Sequence, residues 1–465
     1  MALLFHTFSI PKHKYIFDAN TNCVFSVNEE QYKAMSEIKE GIETPENLSV
    51  LRSFQEKGFC LDVVIERIEN PDGEFIEAHL TQKIQQCTLQ VTQKCNLRCD
   101  YCTYSGLYKT REHSPKTMSF ETAKRAIDFT LGNSEDSPTL AFAFYGGEPL
   151  LELPLINECV EYIKKHAPKR KIIFTVTTNG TLLTTDVYQS LVRSKININI
   201  SLDGPKQIHD MSRKFPNNEG SYDLIMKNIQ EIHNKYPDAH ENLSFLAVVN
   251  PAMDDDYCIQ TLFKSDDIIP LYNYTSNFLS ELYSEKEINY SDAFLLAYNH
   301  EYCKFLLFML NRLKKENIST IFDNRIGRLE LEYRQLSKIP KLPAVFHPSG
   351  PCIAGAQRLF IDVHGNFFPC ERVSESSVVM NIGNLNDGFN IKKARVLMNP
   401  GQTTEDECKK CWVIMHCSMC AAFSDDLTEL SREQRLSQCK SAKMQYEQTL
   451  KTICFLKESG YAFER

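Results

Sequence analysis

Three cysteines stand close together in the segment QKCNLRCDYC, at residues 93–102. Cys95, Cys99 and Cys102 have the spacing C-x3-C-x2-C and directly follow a predicted strand. Three thiolates on one loop can hold three irons of a cubane cluster, which leaves the fourth iron open to a small molecule. Zinc is an alternative, but a structural zinc site takes four ligands and no nearby histidine supplies the fourth. A third interpretation is three buried cysteines without metal.

Short glycine-rich and polar segments follow the next three predicted strands. They are AFYGGEP, with Gly146, Gly147, Glu148 and Pro149, then TTNGTLL over 177–183, and SLDGPKQIHDMSR over 201–213. Together with CxxxCxxC and the aromatic Tyr101 before its last cysteine, these motifs resemble, in this order, those of the radical S-adenosylmethionine (SAM) enzymes. The resemblance implies that the three cysteines hold a [4Fe-4S] cluster to which SAM binds.

The same resemblance implies roles for the other motif residues, with Tyr101, Gly146, Gly147, Pro149 and Asn179 in the SAM site. Glu148 and the glycine backbone would contact the amino group of SAM, since glycine permits close approach and a carboxylate suits an ammonium group. Ser201 and Asp203 would lie near the ribose. Arg213 would pair with the SAM carboxylate; its alternative role is a solvated helix charge. The reduced cluster would cleave SAM to methionine and a 5′-deoxyadenosyl radical, which abstracts a substrate hydrogen.

A second group of cysteines lies between residues 352 and 439. Cys352 and Cys370 flank Gly365, and C-x2-C-x5-C-x2-C and a last cysteine follow at Cys408, Cys411, Cys417, Cys420 and Cys439. This order resembles the SPASM domain of peptide-modifying radical SAM enzymes, which holds two auxiliary [4Fe-4S] clusters. The resemblance implies three clusters in all and assigns Cys408, Cys411, Cys417 and Cys439 to an outer cluster. Zinc is the alternative metal.

The resemblance leaves three cysteines for the inner cluster, namely Cys352, Cys370 and Cys420. Related proteins with four inner ligands have an extra cysteine soon after the first, which CIAGAQRLF lacks. The fourth iron is therefore either open to a substrate thiolate or bound by a remote cysteine, because thiolate is a natural ligand of cluster iron. Most of the unassigned cysteines are expected to be core thiols: Cys23, Cys60, Cys87, Cys159, Cys258, Cys303 and Cys454.

Glu371 directly follows Cys370, where sulfatase-maturating relatives have an acid that acts as general base. It is therefore a candidate to take the proton of a substrate thiol. The alternative is a surface ion pair with Arg372 or Lys409.

The elements expected to position these residues alternate between strand and helix from about residue 86. This alternation indicates an α/β fold with a parallel sheet, whose ligands bind at the carboxyl ends of the strands. By the family resemblance, residues 86–300 form a partial (β/α)6 barrel of the TIM type. Residues 301–345 are expected to be a helical bridge, and residues 346–465 the SPASM domain with only short regular structure.

Residues 1–80 read as strands followed by two helices and resemble a winged-helix-like module. The acidic stretch 66–77 reads as a linker. In peptide maturases such a module recognises a leader peptide by adding it to a sheet edge. A structural cap is the alternative; DNA binding is disfavoured because the segment has no basic face.

Composition restricts the remaining possibilities. The 465 residues carry 60 acidic and 52 basic side chains, a net charge of −8, which disfavours a nucleic-acid partner. No run of 18 apolar residues indicates a membrane span, and the N-terminus lacks the features of a signal peptide. We therefore expect a cytoplasmic protein without disulfides.

These features together resemble the maturases of ribosomally made peptides. An open inner cluster favours thioether formation, as in sactipeptide and ranthipeptide maturases. The expected partners are a cysteine-containing precursor peptide with a leader and an electron donor such as flavodoxin or ferredoxin. The alternatives are carbon–carbon crosslinking, formylglycine formation as in anaerobic sulfatase maturation, and a non-catalytic iron–sulfur scaffold.

Overall fold

The computed structural model describes residues 2–104, 108–109, 111–252, 269, 272–336, 342–348 and 352–463. Cys258 lies outside these ranges, so its expected place in the core stays a prediction. Within the described residues, no helix is long and apolar enough to cross a membrane.

The N-terminal module has the strands and helices expected from its sequence. They are β1 (Ala2–Leu3), β2 (Phe5–Ser9), β3 (Lys14–Asp18), β4 (Cys23–Val27), α1 (Glu29–Lys39), α2 (Pro45–Gln55) and β5 (Asp62–Val63). Strands β2, β3 and β4 form an antiparallel sheet in that order, and β1 pairs with β5. Helix α1 begins after Asn28, whose side chain accepts a hydrogen bond from Gln31 N at 2.8 Å in a capping box.

Both faces of this small sheet are covered. One face packs on α1 and α2, where Ile16, Met35 and Phe54 are buried. The other packs on a distant part of the chain: Phe17 makes edge contacts with Trp412 and Tyr446, and His6 stacks on Trp412 at 4.0 Å. The module is therefore anchored to the C-terminal part of the chain.

The acidic stretch 66–77 is not a linker, contrary to the sequence-based expectation. It contains β6 (Arg67–Ile68), which pairs in parallel with Val345–Phe346, and it runs through a 3-10 turn (Pro71–Phe75) into α3 (Ile76–Gln82). Among its charged residues the stretch contains two apolar side chains, Ile68 and Ile76, that are buried in the protein.

Six parallel strands follow in chain order, with helices between most of them. These elements are β7 (Gln86–Thr92), α4 (Phe120–Gly132), β8 (Leu140–Gly146), α5 (Leu153–His166), β9 (Ile172–Thr178), α6 (Thr185–Arg193), β10 (Ile196–Ser201), α7 (Lys206–Ser212), α8 (Tyr222–Lys235), β11 (Leu243–Val249) and β12 (Asn273–Phe278). Each strand pairs with the next in parallel, and alternate residues such as Phe142 and Phe144 are buried. The α/β alternation is confirmed, and curvature into a partial barrel stays a prediction.

Residues 301–345, the expected helical bridge, contain the second half of α9 (Asp292–Met309) and all of α10 (Asp323–Gln335). Helix α9 ends at Met309, and Asn311 adopts a positive φ of 56°, which does not continue the helix. Phe305 and Phe322 pack here against Ile453 and Leu456 of the C-terminal helix.

The C-terminal part has more regular structure than expected. Its elements are β13 (Val345–Phe346), β14 (Leu359–Ile361), β15 (Asn366–Phe368), β16 (Gly383–Asn384), β17 (Gly388–Phe389), α11 (Ile391–Leu397), α12 (Glu405–Cys408) and α13 (Arg432–Glu458). Helix α13 has 27 residues, so the expectation of only short elements after residue 346 is wrong. Strand β14 pairs in parallel with β7, and β15, β16 and β17 follow it in antiparallel order. Within the described residues, the four strands extend the central sheet into a mixed sheet of ten strands.

Candidate active site

The loop after β7 carries the first three cysteines. Burial raises the pKa of the Cys95 and Cys99 thiols to about 12, and the neighbouring thiols of the loop add to the shift. Backbone N–H groups point at sulfur in two places: Leu97 N donates to Cys95 Sγ and Tyr104 N to Cys102 Sγ, each at 3.4 Å. Such hydrogen bonds support thiolate ligands. The donor set of this loop therefore fits an iron–sulfur cluster.

No group of three or more His, Cys, Asp or Glu side chains converges on a single-ion position within the described residues. Each thiolate of a four-iron cluster binds its own iron, so its cysteines stand farther apart than the ligands of one ion. The absence of a single-ion site among the described residues is therefore compatible with iron–sulfur clusters at these cysteines.

Two glycines let the end of β8 touch this loop. A Cβ on Gly146 would lie 2.1 Å from Thr92 O, and one on Gly147 would lie 2.1 Å from Lys94 O. In the space so left, Gly147 N donates to Thr92 O at 2.9 Å and Glu148 N to Lys94 O at 2.8 Å. Gly146 also has a positive φ of 148°. The GGEP motif is thus fixed against the backbone of Thr92 and Lys94, directly before the first cysteine.

Glu148 is fully buried, and its carboxylate is held by groups of the chain itself. It accepts hydrogen bonds from Asn179 N (2.7 Å), Thr178 Oγ1 (2.7 Å) and Leu150 N (2.9 Å). Burial nevertheless raises its pKa. Glu148 therefore joins the end of β8 to the end of β9, and its expected contact with the amino group of SAM stays a prediction.

Asn179 connects the end of β9 to the cysteine loop. Its Nδ2 donates to Asn96 Oδ1 at 2.8 Å and lies 3.9 Å from Cys95 Sγ, within the range of a weak hydrogen bond to sulfur. Asn96 in turn donates to Thr181 Oγ1 at 2.8 Å. Sequence reasoning missed Asn96, because an Asn inside a cysteine motif has no distinctive spacing.

The end of β10 contributes a buried ion pair. Arg213 Nε donates to Asp203 Oδ2 at 2.8 Å, and the Tyr101 hydroxyl donates to the same oxygen. The Arg213 guanidinium lies 5.3 Å from the centre of the Tyr101 ring. Arg213 is only 9% exposed, so the alternative of a solvated helix charge is wrong. Ser201 is the last residue of β10, two positions before Asp203. The expected contacts of these residues with SAM stay predictions.

Cys352, Cys370 and Cys420 are neighbours in space, although they are far apart in sequence. Burial raises the pKa of the Cys352 thiol, and the Cys420 thiol raises it further. Burial likewise raises the pKa of the Cys370 thiol to about 12, and Glu371 and then the other two thiols of the set add to this shift. Cys370 follows β15, and Cys420 precedes a 3-10 turn. The three inner cysteines therefore form a thiol-only donor set that fits an iron–sulfur cluster.

Glu371 lies at this inner set, and its ion-pair partner differs from those expected. Arg358 Nη1 donates to Glu371 Oε1 at 2.6 Å, whereas Lys409 pairs with Glu405 at 2.8 Å. The proposed alternatives Arg372 and Lys409 are therefore replaced by Arg358. The second oxygen, Oε2, is buried without a hydrogen-bond partner.

Arg111 joins the loop of the first cysteines to the inner set. Its guanidinium lies 5.4 Å from the centre of the Tyr104 ring and donates to the Glu371 carbonyl at 2.6 Å. Arg111 also forms a buried ion pair with Glu375. Sequence reasoning missed Arg111, since a lone arginine after a cysteine loop has no motif.

The outer set contains Cys408 at the end of α12, Cys411, Cys417, and Cys439 on α13. Burial raises the pKa of Cys411 to about 11, and the thiols of Cys408 and Cys417 add to the shift. Cys417 and Cys439 are each affected by the thiol of Cys408 as well. The four residues assigned to the outer cluster therefore lie together.

Comparisons with known proteins identify relatives of this chain. Residues 89–263 match the radical SAM superfamily. An uncharacterized protein of Methanocaldococcus jannaschii is 26% identical over 319 residues, which are 66% of this chain and 91% of that protein. A cysteine-type anaerobic sulfatase-maturating enzyme of Clostridium novyi is 33% identical over 162 residues, which are 34% of this chain and 42% of that enzyme.

Solved structures share the fold. Native anSMEcpe with bound AdoMet and Cp18Cys peptide superposes with a TM-score of 0.56 at 22% identity, over 79% of this chain and 98% of that chain. At this identity the likeness concerns the fold alone.

Proposed function

We propose that this chain, whose residues 89–263 match the radical SAM superfamily, is a radical SAM enzyme that forms thioether crosslinks in a ribosomally made, cysteine-containing precursor peptide. The proposal includes three [4Fe-4S] clusters, SAM, a leader on the precursor, and an electron donor such as flavodoxin or ferredoxin in the cytoplasm. When bound, SAM and its cluster supply a 5′-deoxyadenosyl radical that removes hydrogen from the peptide, and the auxiliary clusters accept the electron released when carbon bonds to sulfur.

The observation that carries the proposal is the chain of contacts between the two cysteine sites. Tyr104 N donates to Cys102 Sγ at 3.4 Å, its ring lies beside the Arg111 guanidinium, and Arg111 donates to the carbonyl of Glu371. Glu371 follows the inner ligand Cys370 directly. A peptide held at the inner set would therefore lie beside the loop at which SAM is expected, as crosslinking requires.

The inner set favours sulfur chemistry because it has three cysteines. Of the other described cysteines, Cys23, Cys60, Cys87, Cys159, Cys303 and Cys454 lie on the N-terminal module or on other helices and strands. A three-thiolate set leaves one position for a substrate thiolate. Glu371 has an oxygen without a hydrogen-bond partner that can accept the thiol proton, while Arg358 orients the carboxylate.

The N-terminal module supports recognition of a leader peptide. Strand β4 is at the end of its sheet, and its residues Val24, Phe25 and Ser26 line a cavity of about 940 Å³. The opposite wall comes from α10 and α13, including Tyr333 and Lys457. An open strand edge facing a groove suits an extended peptide, which would add one strand and place alternate side chains in the cavity.

The decisive experiment is anaerobic co-expression with a candidate precursor, a short cysteine-rich reading frame next to this gene. Crosslinked product should lose two hydrogen atoms per bond and keep its sulfur. Replacing Cys95, Cys99 and Cys102 by Ala should abolish 5′-deoxyadenosine formation and lower the iron content from about 12 to about 8 per chain. Continued SAM cleavage by this variant would refute the cluster assignment.

The second candidate function is oxidation of Cys or Ser to formylglycine. It is favoured by the 33% identity to the sulfatase-maturating enzyme of Clostridium novyi, although the match covers 34% of this chain. The product separates the two functions, because formylglycine made from cysteine has lost its sulfur. A sulfatase-derived peptide converted in this way, with no crosslink in the precursor, would replace the first proposal by the second.

A further inference from the structure

Arg435 is a fully buried arginine in helix α13, one turn before Cys439. Cys439 Sγ lies 3.7 Å from the Arg435 carbonyl. Its guanidinium reaches the outer cysteines through Thr404: Arg435 Nε donates to Thr404 Oγ1 at 3.2 Å, and the same oxygen lies 3.3 Å from Cys408 Sγ. The side chain is therefore part of the immediate surroundings of the outer set.

The charge of Arg435 has no carboxylate partner within the part of the chain that the structure describes. Its other hydrogen bonds go to neutral acceptors, Met419 O and Ser424 Oγ, both at 3.5 Å. Nη2 is buried and makes no hydrogen bond. A guanidinium stays charged in proteins, and a buried charge is costly unless an opposite charge compensates it. An anion is therefore expected beside Arg435.

The four outer cysteines can supply that anion. Thr404 connects the Arg435 guanidinium to Cys408, and Cys439 follows Arg435 by one turn of the same helix. Four thiolates around a zinc ion or a four-iron cluster leave a net negative charge on the centre. The sulfur atoms of such a centre would also accept hydrogen bonds from Nη2, because the sulfur ligands of clusters accept hydrogen bonds from surrounding N–H groups.

We propose that Arg435 is a positioning residue, the buried counter-ion of a metal–thiolate centre at the outer cysteines. It stabilises the more negative, reduced state of that centre and so raises its reduction potential. This inference rests on the proposed function only in that the outer cysteines hold metal.

The test compares the holoenzyme with Arg435→Met and Arg435→Lys, using metal analysis and a redox titration followed by electron paramagnetic resonance. Arg435→Met should lose the outer iron, about 4 of about 12 per chain, or keep it at a lower potential. Arg435→Lys should retain the metal with a potential nearer that of the wild type. Arg432→Met is the matched control, because Arg432 is on the same helix but exposed and paired with Glu407.

Unchanged metal content and potential in Arg435→Met would overturn the inference. Failure of both Arg435 variants to fold would overturn it as well, because folding would then require the shape of the arginine side chain rather than its charge. A folded Arg435→Lys variant beside an unfolded Arg435→Met variant would support the inference. Zinc in place of iron in the wild type would count against the proposed cluster content alone, and the same comparison would then be read from zinc retention.

Discussion

Arg213 and Asp203 form a buried ion pair in which Nε of the arginine lies 2.8 Å from a carboxylate oxygen. They connect the end of α7 to the end of β10, and the Tyr101 hydroxyl of the cysteine loop donates to the same carboxylate oxygen. The second carboxylate oxygen accepts from Val248 N at 3.0 Å, so Asp203 also holds the end of β11. One aspartate thus ties two strand ends to the loop through Tyr101.

Asp203→Asn should destabilise the protein by about 3 kcal/mol or more, because Arg213 would remain buried without its counter-charge. The double variant Asp203→Asn/Arg213→Met should recover part of this loss, since it leaves no unpaired buried charge. Urea unfolding of the anaerobically purified proteins measures both effects. Equal stability of wild type and Asp203→Asn would show that the pair contributes no such compensation.

Gly147→Ala should displace the cysteine loop, because the new Cβ would lie 2.1 Å from Lys94 O. A shift of about 1 Å at a reactive centre costs roughly 100-fold in rate, so SAM cleavage should fall by about that factor. Gly132→Ala is the control, since nothing lies within 4 Å of its Cβ. Chromatographic assay of 5′-deoxyadenosine distinguishes them; similar rates in both variants would contradict the tight fit.

Val24→Trp should fill the groove beside β4 and weaken precursor binding by about tenfold, a loss of about 1.4 kcal/mol. SAM cleavage without peptide should continue, because Val24 is on the N-terminal module. Ile42→Trp introduces the same side chain at an exposed site of that module outside the groove lining. Binding is measured by fluorescence anisotropy of a labelled precursor. Equal affinities in both variants would place the leader elsewhere.

This point variant is preferable to deletion of residues 1–80. The module covers Trp412 and Tyr446, so its removal would expose an apolar surface of the C-terminal part.

His6 should make stability depend on pH. Burial, and then the positive charge of Lys39, lower its pKa from 6.5 to about 4. The unfolded state therefore binds more protons between these values, so stability falls as the pH drops through this range. From pH 7 to pH 5 the loss should be about 2 kcal/mol. His6→Gln should lose about that much less than wild type in urea unfolding at the two pH values; parallel losses would contradict the shift.

Glu371→Gln should cleave SAM but crosslink poorly, because the amide keeps the size of the side chain and cannot take a proton. Crosslinking should recover in part as the pH approaches the thiol pKa of about 8.5, where the substrate loses its proton unaided. Mass spectrometry of the co-incubated precursor gives the rates. Equal rates in variant and wild type near pH 7 would show that Glu371 is only the partner of Arg358.

The sequence predicted those features that depend on local spacing. The strand–helix alternation predicted strands β7 to β11. The family resemblance carried by the cysteine spacing predicted groups of cysteines, and the members of each group lie together in the structure. Features made by distant residues were missed. The sequence RLFID does not indicate that β14 pairs with β7. The buried residues Ile68 and Ile76 occur within an acidic stretch, which by composition reads as a linker.

The buried arginines show the same limit. Arg111 and Arg435 each occur among ordinary polar residues, and only the fold places one between two cysteine sites and the other beside four thiols. Helix α13 was not predicted, although its buried residues Tyr446, Leu450 and Ile453 recur at helical spacing.

The pairing of β14 with β7 has a consequence for synthesis of the chain on the ribosome. Leu359 pairs with Cys87, so most of the protein must emerge before one side of β7 finds its partner. Until then one edge of β7 has unpaired backbone N–H and C=O groups, and such an edge is prone to intermolecular strand pairing. Fragments that end before residue 359 should therefore aggregate, and the inner cysteines can come together only after Cys420 has been synthesised.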